Sequence, residues 1–438
     1  MGNGVQRLAA ASEATPAADQ RRSIGMTRLI IRGGCVLSMD PAIGNRREAD
    51  VLVEDGLVSE VGTNLRPRGA DDVDASNAVV LPGFVDAHRH AGETLARHVP
   101  NAVNADYTAD DAYAATLAGL LSAVESGVTT VADWSAFAGD DHAAAALQAH
   151  EDAGLRTVLV AADPTGDSGR WRHRVSSASG TPPLTSLAAE PPAPSDWPFA
   201  RELGLRIHVH AGDTGTTLAE LGDRMLGSDV TLAHCTGFAA REFDAVAKSG
   251  ASVVLTPTSD MADGAPPIPV QDLIDRDIRP GVGTGAMTMA AGDVFAQLRA
   301  VIALQHAMYF DLKLAGKAGL PRLLSTRDVI GYGTVDGARA LGMTGEAGAI
   351  GSITPGRPAD IVLLRTDRPN IVPVNDPIGA VVWGMDTSNV DTVLVAGRAL
   401  VRDGSLTTDL NHVRSLIREA HHRVKSYADR PATAGEPA

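Results

Sequence analysis

Over most of its length the chain alternates between short apolar runs of strand type and longer stretches whose apolar positions recur at helical spacing. Between residue 84 and about 345 there are eight strand-like runs: 84–88, 128–134, 156–162, 183–189, 206–211, 230–235, 251–257 and 279–284. Amphipathic segments separate most of them. One is 110–126, which opens on acidic residues as a helix N-terminus favours. Eight strands alternating with helices predict a (β/α)8 barrel rather than an open doubly wound sheet. The stretch 163–182 has no periodicity; as a loop after the third strand it would lie over the barrel mouth.

A different texture flanks this middle. Residues 28–34, 35–39, 50–54, 57–62 and 79–81 are short β-type runs divided by Gly, Asp-Pro and Asp-Gly turns, and Glu54-Asp55-Gly56 is a hairpin signal. The same texture returns at 359–364, 380–383, 392–396 and 399–402. It predicts a small β-sandwich domain assembled from both chain ends, residues 26–82 and 346–408, around a barrel at 83–345. Helical spacing resumes at 324–341, and a C-terminal helix is expected over 409–428. In that helix Leu410, Val413, Ile417, Ala420 and Val424 form one stripe, which leaves His412, His421 and His422 on the surface. Residues 1–25 and 429–438 read as a disordered leader and tail.

Composition narrows the class. The 438 residues exceed one compact core of ordinary size. With 44% hydrophobic but only 4% aromatic residues, the core must be built from Ala, Val, Leu and Ile. A formal charge of −15 argues against nucleic acid or an anionic membrane as partner. Cys35 and Cys235 are the only cysteines, so there is no disulfide framework. No apolar run approaches the roughly 20 residues of a membrane helix, and the leader lacks the apolar core of a secretory signal. The expectation is a cytoplasmic protein that acts on a small molecule.

The chemistry concentrates in histidines at strand ends. In the run LPGFVDAHRH, from Leu81 to His90, residues two apart on a strand face the same side. His88 and His90 therefore project together, as two imidazoles sharing a metal ion must. Such a pair alone is weak. However, His208 and His210 end the fifth run and His234 the sixth, and in a barrel these strand ends meet at one mouth. Each histidine singly could be a buried ring bonded to backbone; their joint placement favours a metal or catalytic centre. Neutral imidazoles suit zinc, iron or nickel, and three of them with an open position make a catalytic arrangement.

Three further residues are candidates for substrate contact, each with a plainer alternative. Glu93, three residues after His90, contacts substrate or is a solvated loop acid. Trp134 lines a pocket for a planar ring or packs in the core. His208 lies one layer deeper than His210, where it supports the site or fills the barrel. Arg89, between the paired histidines, must point away from them and form a structural ion pair.

The runs PGFVDAHRH, IHVHAGD, LAHCTGF, PGRPADIVLL and DTVLVAGRALVRDG together resemble the amidohydrolase superfamily, in its cytosine deaminase and triazine hydrolase branch, from about Arg28 to Gly404. The resemblance implies a distorted (β/α)8 barrel with a flanking β-sandwich, and self-association as a homodimer. It implies one divalent metal ion, zinc or iron, on His88, His90 and His210, with His234 touching the metal's water or the substrate. Deaminases of this group shuttle protons with a Glu three residues after the fifth-strand histidine; here that place holds Asp213. The loop from Ala91 to Tyr107 is shorter than in those relatives, which reshapes the pocket.

One departure stands out. These enzymes carry an Asp at the end of the eighth strand, in a Gly-Thr-Asp sequence, that ligates the metal and takes the proton from its water. Here the run is Gly283-Thr284-Gly285, and glycine offers neither ligand nor base. Losing that base costs roughly 10²–10⁴-fold in rate unless Asp213 or His234 takes the role. Asp293 should begin the next helix, and Asp260 and Asp263 follow the seventh strand, so no neighbouring acid is expected to substitute. The leading expectation is metal-dependent hydrolysis, a deamination or amide C–N cleavage, of a small nitrogen-containing heterocycle. Gly285 keeps open a non-hydrolytic lyase, decarboxylase or cyclase on the same barrel. A catalytically silent binding protein is the third reading, although a dead site has no need of the retained histidines.

Overall fold

The computed structural model describes residues 28–97, 107–134, 139–161, 184–191, 193–212, 218, 225–288, 292–345 and 348–428. Five strands precede the barrel: β1 (Arg28–Leu37), β2 (Asn45–Glu54), β3 (Leu57–Gly62), β4 (Asp71–Asp74) and β5 (Ala78–Pro82). Eight form it: β6 (Phe84–Arg89), β7 (Val128–Trp134), β8 (Arg156–Ala161), β9 (Thr185–Ala189), β10 (Arg206–Gly212), β11 (Val230–Thr236), β12 (Ser252–Leu255) and β13 (Gly281–Val282). Four follow: β14 (Ile361–Arg365), β15 (Val390–Val395), β16 (Arg398–Arg402) and β17 (Ser405–Leu406).

The flanking strands form one nine-stranded mixed sheet, ordered β17-β16-β15-β14-β5-β1-β2-β3 with β4 beside β1. The two chain ends meet where β14 runs antiparallel to β5, Ile361 opposite Pro82 and Arg365 opposite Ala78. The β2–β3 hairpin turns on Asp55 (φ 51°) and Gly56 (φ 80°), the two positive angles a tight hairpin turn needs. Residues 28–37 make a single strand bent by register shifts around Gly34, where two separate runs were expected.

Two other expectations change. The run 380–383 is helical: Asp376 caps Pro377–Gly379 through the Ile378 amide, and a π-helical turn over Ala380–Gly384 follows. A short apolar run fits a buried strand or a buried helix equally well, and here the Asp-Pro start decides. The stretch 324–341 forms two helices, Thr326–Tyr332 and Val335–Ala340, separated at Gly333 and Thr334.

The barrel strands lie side by side from β6 to β13. The ring closes where Gly285 N donates to His88 O (2.9 Å) and His90 N to Gly285 O (3.2 Å). Glycine is required nearby: a Cβ on Gly283 would sit 2.5 Å from His88 O. Deep in the barrel Val85, Ala87, Val158, Val160, Ala233 and Val254 pack together, and Ala338, Ala340 and Leu341 close the floor. Outside stand helices including Ala109–Glu125, capped by Thr108, and Val294–Leu314, whose cap is Asp293 as expected. Arg156 on β8 reaches the buried Asp360 carboxylate (2.7 Å), joining barrel and sheet.

The C-terminal helix Leu410–Ala428 buries Val413 and Ala420 and leaves His412, His421 and His422 exposed. Among the described residues no helix is long and apolar enough to cross a membrane. The expected leader and tail, and the loop 163–182, lie outside the described residues.

Candidate metal centre

Two irregularities aim the histidines. Along β6, Asp86 stands opposite Val131 but Arg89 opposite Asp133, so one residue is extra and the alternation of faces breaks. Asp86 and Arg89 thereby share a side and pair at 3.0 Å, both fully buried. Arg89 also donates to Gly119 O (2.8 Å), Thr284 Oγ1 (3.0 Å) and Gly292 O (3.1 Å), the structural role expected for it. On β11, His234 (φ 70°) and Cys235 (φ 54°) hold left-handed backbone angles beside a register shift against β10. Such angles cost about 1–3 kcal/mol each and persist where the surroundings enforce them.

At the mouth four imidazoles meet. Nε2 of His90 lies 3.2 Å from Nε2 of His88 and 3.4 Å from Nε2 of His210. The ring of His234 stacks on that of His210 at 5.4 Å, and ring nitrogens of His88, His210 and His234 lie within 4.8 Å of one another. Trp134 is only 3% exposed and stands edge-on to His88 (4.2 Å) and His210 (4.3 Å), with its Nε1 unpartnered. It packs in the same deep barrel cluster as Val85 and Val158, directly beneath the histidines.

Carboxylates grip the outer ring nitrogens. Glu190 Oε1 lies 2.5 Å from His210 Nδ1. Asp260 Oδ1 lies 2.6 Å, and Thr256 Oγ1 2.8 Å, from His234 Nδ1. An acceptor on Nδ1 puts the ring proton there and turns the Nε2 lone pair inward. Burial, with neighbouring imidazoles adding to it, holds His88 well below the usual range and takes His90 down to about 4. These two rings are neutral at pH 7, the form a metal ligand needs. Zinc–nitrogen bonds of 2.0–2.1 Å set tetrahedral ligand atoms about 3.3 Å apart. The spacings of 3.2 and 3.4 Å match, so the donor set fits a divalent metal.

Several expectations are corrected here. Glu93 is no solvated loop acid: its Oε1 lies 3.5 Å from His90 Nδ1, its Oε2 is buried without a partner, and burial pushes its carboxyl up to about 7. His208 is fully buried against Trp134 (5.5 Å), both ring nitrogens unpartnered, which is the core position and not a substrate contact. An acid does approach from beyond the seventh strand, since Asp260 reaches His234. Asp213 and residues 98–106 of the Ala91–Tyr107 loop lie outside the described residues.

Glu190 and Thr256 went unflagged in the sequence, although Glu190 directly follows a strand run, Thr256 lies at the end of one, and the barrel rule singles out such positions. Asp260 gave no local signal. It meets His234 only because the helix Pro257–Ala262 carries it back over Thr256.

Residues 79–178 and 197–400 match the model of the Amidohydrolase family. The chain belongs to that family. As an amidohydrolase it is a hydrolase of C–N bonds. It is 30% identical to the 5′-deoxyadenosine deaminase of Methanothermobacter thermautotrophicus over 410 residues, 83% of this chain and 91% of the relative. It is 26% identical to the 5-methylthioadenosine/S-adenosylhomocysteine deaminase of Acetivibrio thermocellus, over 90% of this chain and 99% of the relative. Two solved structures share the fold. The adenosine deaminase of Xanthomonas campestris with bound zinc has a TM-score of 0.77 at 22% identity, covering 91% of this chain and 99% of that one. The atrazine chlorohydrolase of Arthrobacter aurescens complexed with zinc has a TM-score of 0.75 at 20% identity, covering 90% and 100%.

Proposed function

We propose that this amidohydrolase deaminates an adenine nucleoside of the 5′-deoxyadenosine type, with His88, His90 and His210 holding one divalent metal ion, zinc by analogy with its neighbours. The observation that carries the reading is the convergence of the Nε2 atoms of His88, His90 and His210 at 3.2 and 3.4 Å. The names of the sequence relatives supply the substrate class.

When bound, such an ion lowers the pKa of water to about 7 and polarises the group under attack. The protein's own residues do the rest. Glu190 keeps the His210 ring in place through Nδ1. His234 presents Nε2 to the water, Asp213 relays protons, and Trp134 offers an aromatic wall to the base. In the overall change the water oxygen becomes the ring carbonyl. One of its protons ends on the adjacent ring nitrogen, and the other leaves with the amino group as ammonia. A homodimer and a cytoplasmic location belong to the same reading; the free thiols of Cys35 and Cys235 accord with the latter.

The test uses the full-length, metal-loaded protein with 5′-deoxyadenosine, 5′-methylthioadenosine, S-adenosylhomocysteine and adenosine. Ammonia release and incorporation of oxygen from labelled water are expected with at least one of them. No ammonia from any of the four overturns the proposal. Turnover without label favours the non-hydrolytic chemistry that Gly285 left open.

A further inference from the structure

Gly285 leaves the eighth strand without a carboxylate, and the backbone bars a replacement: φ is +69°, and a Cβ would sit 2.7 Å from Ser259 Cβ and 3.2 Å from Thr256 Cβ. What presses on this position is the turn after β12, and the same turn carries an acid. Thr256 precedes the helix Pro257–Ala262, and one turn later Asp260 lies back over it, accepting from Thr256 Oγ1 at 2.9 Å. Both groups converge on one atom, His234 Nδ1, at 2.8 and 2.6 Å. Asp260 is 5% exposed, and its Oδ2 has no hydrogen-bond partner among the described residues. The ring it grips is held in place by strained backbone at His234.

We infer that Asp260 is the positioning carboxylate of this centre, standing in through His234 for the acid missing at Gly285. The inference rests on the hydrolytic reading above. Asp260 holds the ring proton on Nδ1, so Nε2 meets the cluster as a lone pair. That nitrogen accepts the proton that water gives up on attack and passes it to the departing amine. The carboxylate has moved from the eighth strand to the helix after the seventh, and it acts one residue removed.

The substitution Asp260→Asn tests this, because an amide that donates to Nδ1 drives the ring proton to Nε2. Nitrogen-15 NMR of histidine-labelled, metal-free, full-length protein should show His234 as the Nδ1–H tautomer, and as Nε2–H in D260N. D260N should lose about 10²–10⁴-fold in kcat with KM changed by less than about threefold, and D260E should recover at least about tenfold of the loss. Unfolding temperature and metal content, measured alongside, separate this pattern from a loss of structure. A wild-type His234 protonated on Nε2, or a folded D260N that keeps its kcat, overturns the inference. The tautomer needs no substrate. A wild-type protein that releases no ammonia therefore refutes the deaminase proposal alone, and the NMR result still decides the role of Asp260.

Discussion

Asp133 and Asp260 each hold a histidine, and each pair is joined by a threonine hydroxyl. At the first, His150 Nε2 meets Asp133 Oδ2 at 2.9 Å, His150 Nδ1 meets Thr157 Oγ1 at 3.1 Å, and Asp133 Oδ1 accepts from Ala91 N at 2.9 Å. Both ring nitrogens and both carboxylate oxygens are used. At the second, carboxylate and hydroxyl crowd onto one nitrogen of His234, Nδ1, and among the described residues Asp260 Oδ2 has no partner. The parts are the same, but only the second retains hydrogen-bonding capacity. A saturated buried pair stabilises the fold; one with a nitrogen left over at a cavity can move a proton.

Crossed substitutions would break this comparison if it is wrong. His234→Ala should lower kcat about 10²–10⁴-fold. His150→Ala should leave the rate nearly untouched and act on stability. It leaves a buried carboxylate short of its partner and costs about 3–5 kcal/mol in denaturant titrations, with the kcat of the folded fraction changed by less than about threefold. Equal effects on kcat for both variants would erase the distinction.

A smaller effect probes the rim beside the second pair. Gly285→Ala puts a Cβ 2.7 Å from Ser259 in left-handed backbone, so a loss of about 1–3 kcal/mol is expected, read as a lower unfolding temperature. Gly285→Asp meets the same barrier, and deaminase activity should not rise.

Glu93 sharpens the picture least in size but most in pH. Its folded carboxyl is pushed up to about 7, against 4.5 when unfolded. Between these values the unfolded chain binds fewer protons than the native one, so stability falls as pH rises through the window. In metal-free protein Glu93→Gln should therefore exceed wild type by about 1–3 kcal/mol at pH 8, with no advantage below pH 4.5. A pH-independent difference would place the carboxyl in solvent.

Much of this molecule was legible in the chain alone. The strand and helix periods repeat within a few residues, so the eight barrel strands were recovered within a few residues of their ends. Histidines at those ends were bound to converge once a barrel was granted. The failures were of two kinds. An apolar run as short as 380–383 carries no period that separates helix from strand, and capping by Asp376 settled it. The pairing of carboxylates with ring nitrogens was not legible because the partners come from different elements, Glu190 from 20 residues before His210 and Asp260 from 26 after His234.

What the sequence determined by itself was therefore the alternation of layers and the set of imidazoles at the mouth, because both follow from local repeats and the direction of strands. Which nitrogen of each ring faces inward was decided only by the closed barrel. That depends on the bulge in β6, the strained turn at His234 and acids delivered from neighbouring staves, and none of these contacts exists until the ring is complete.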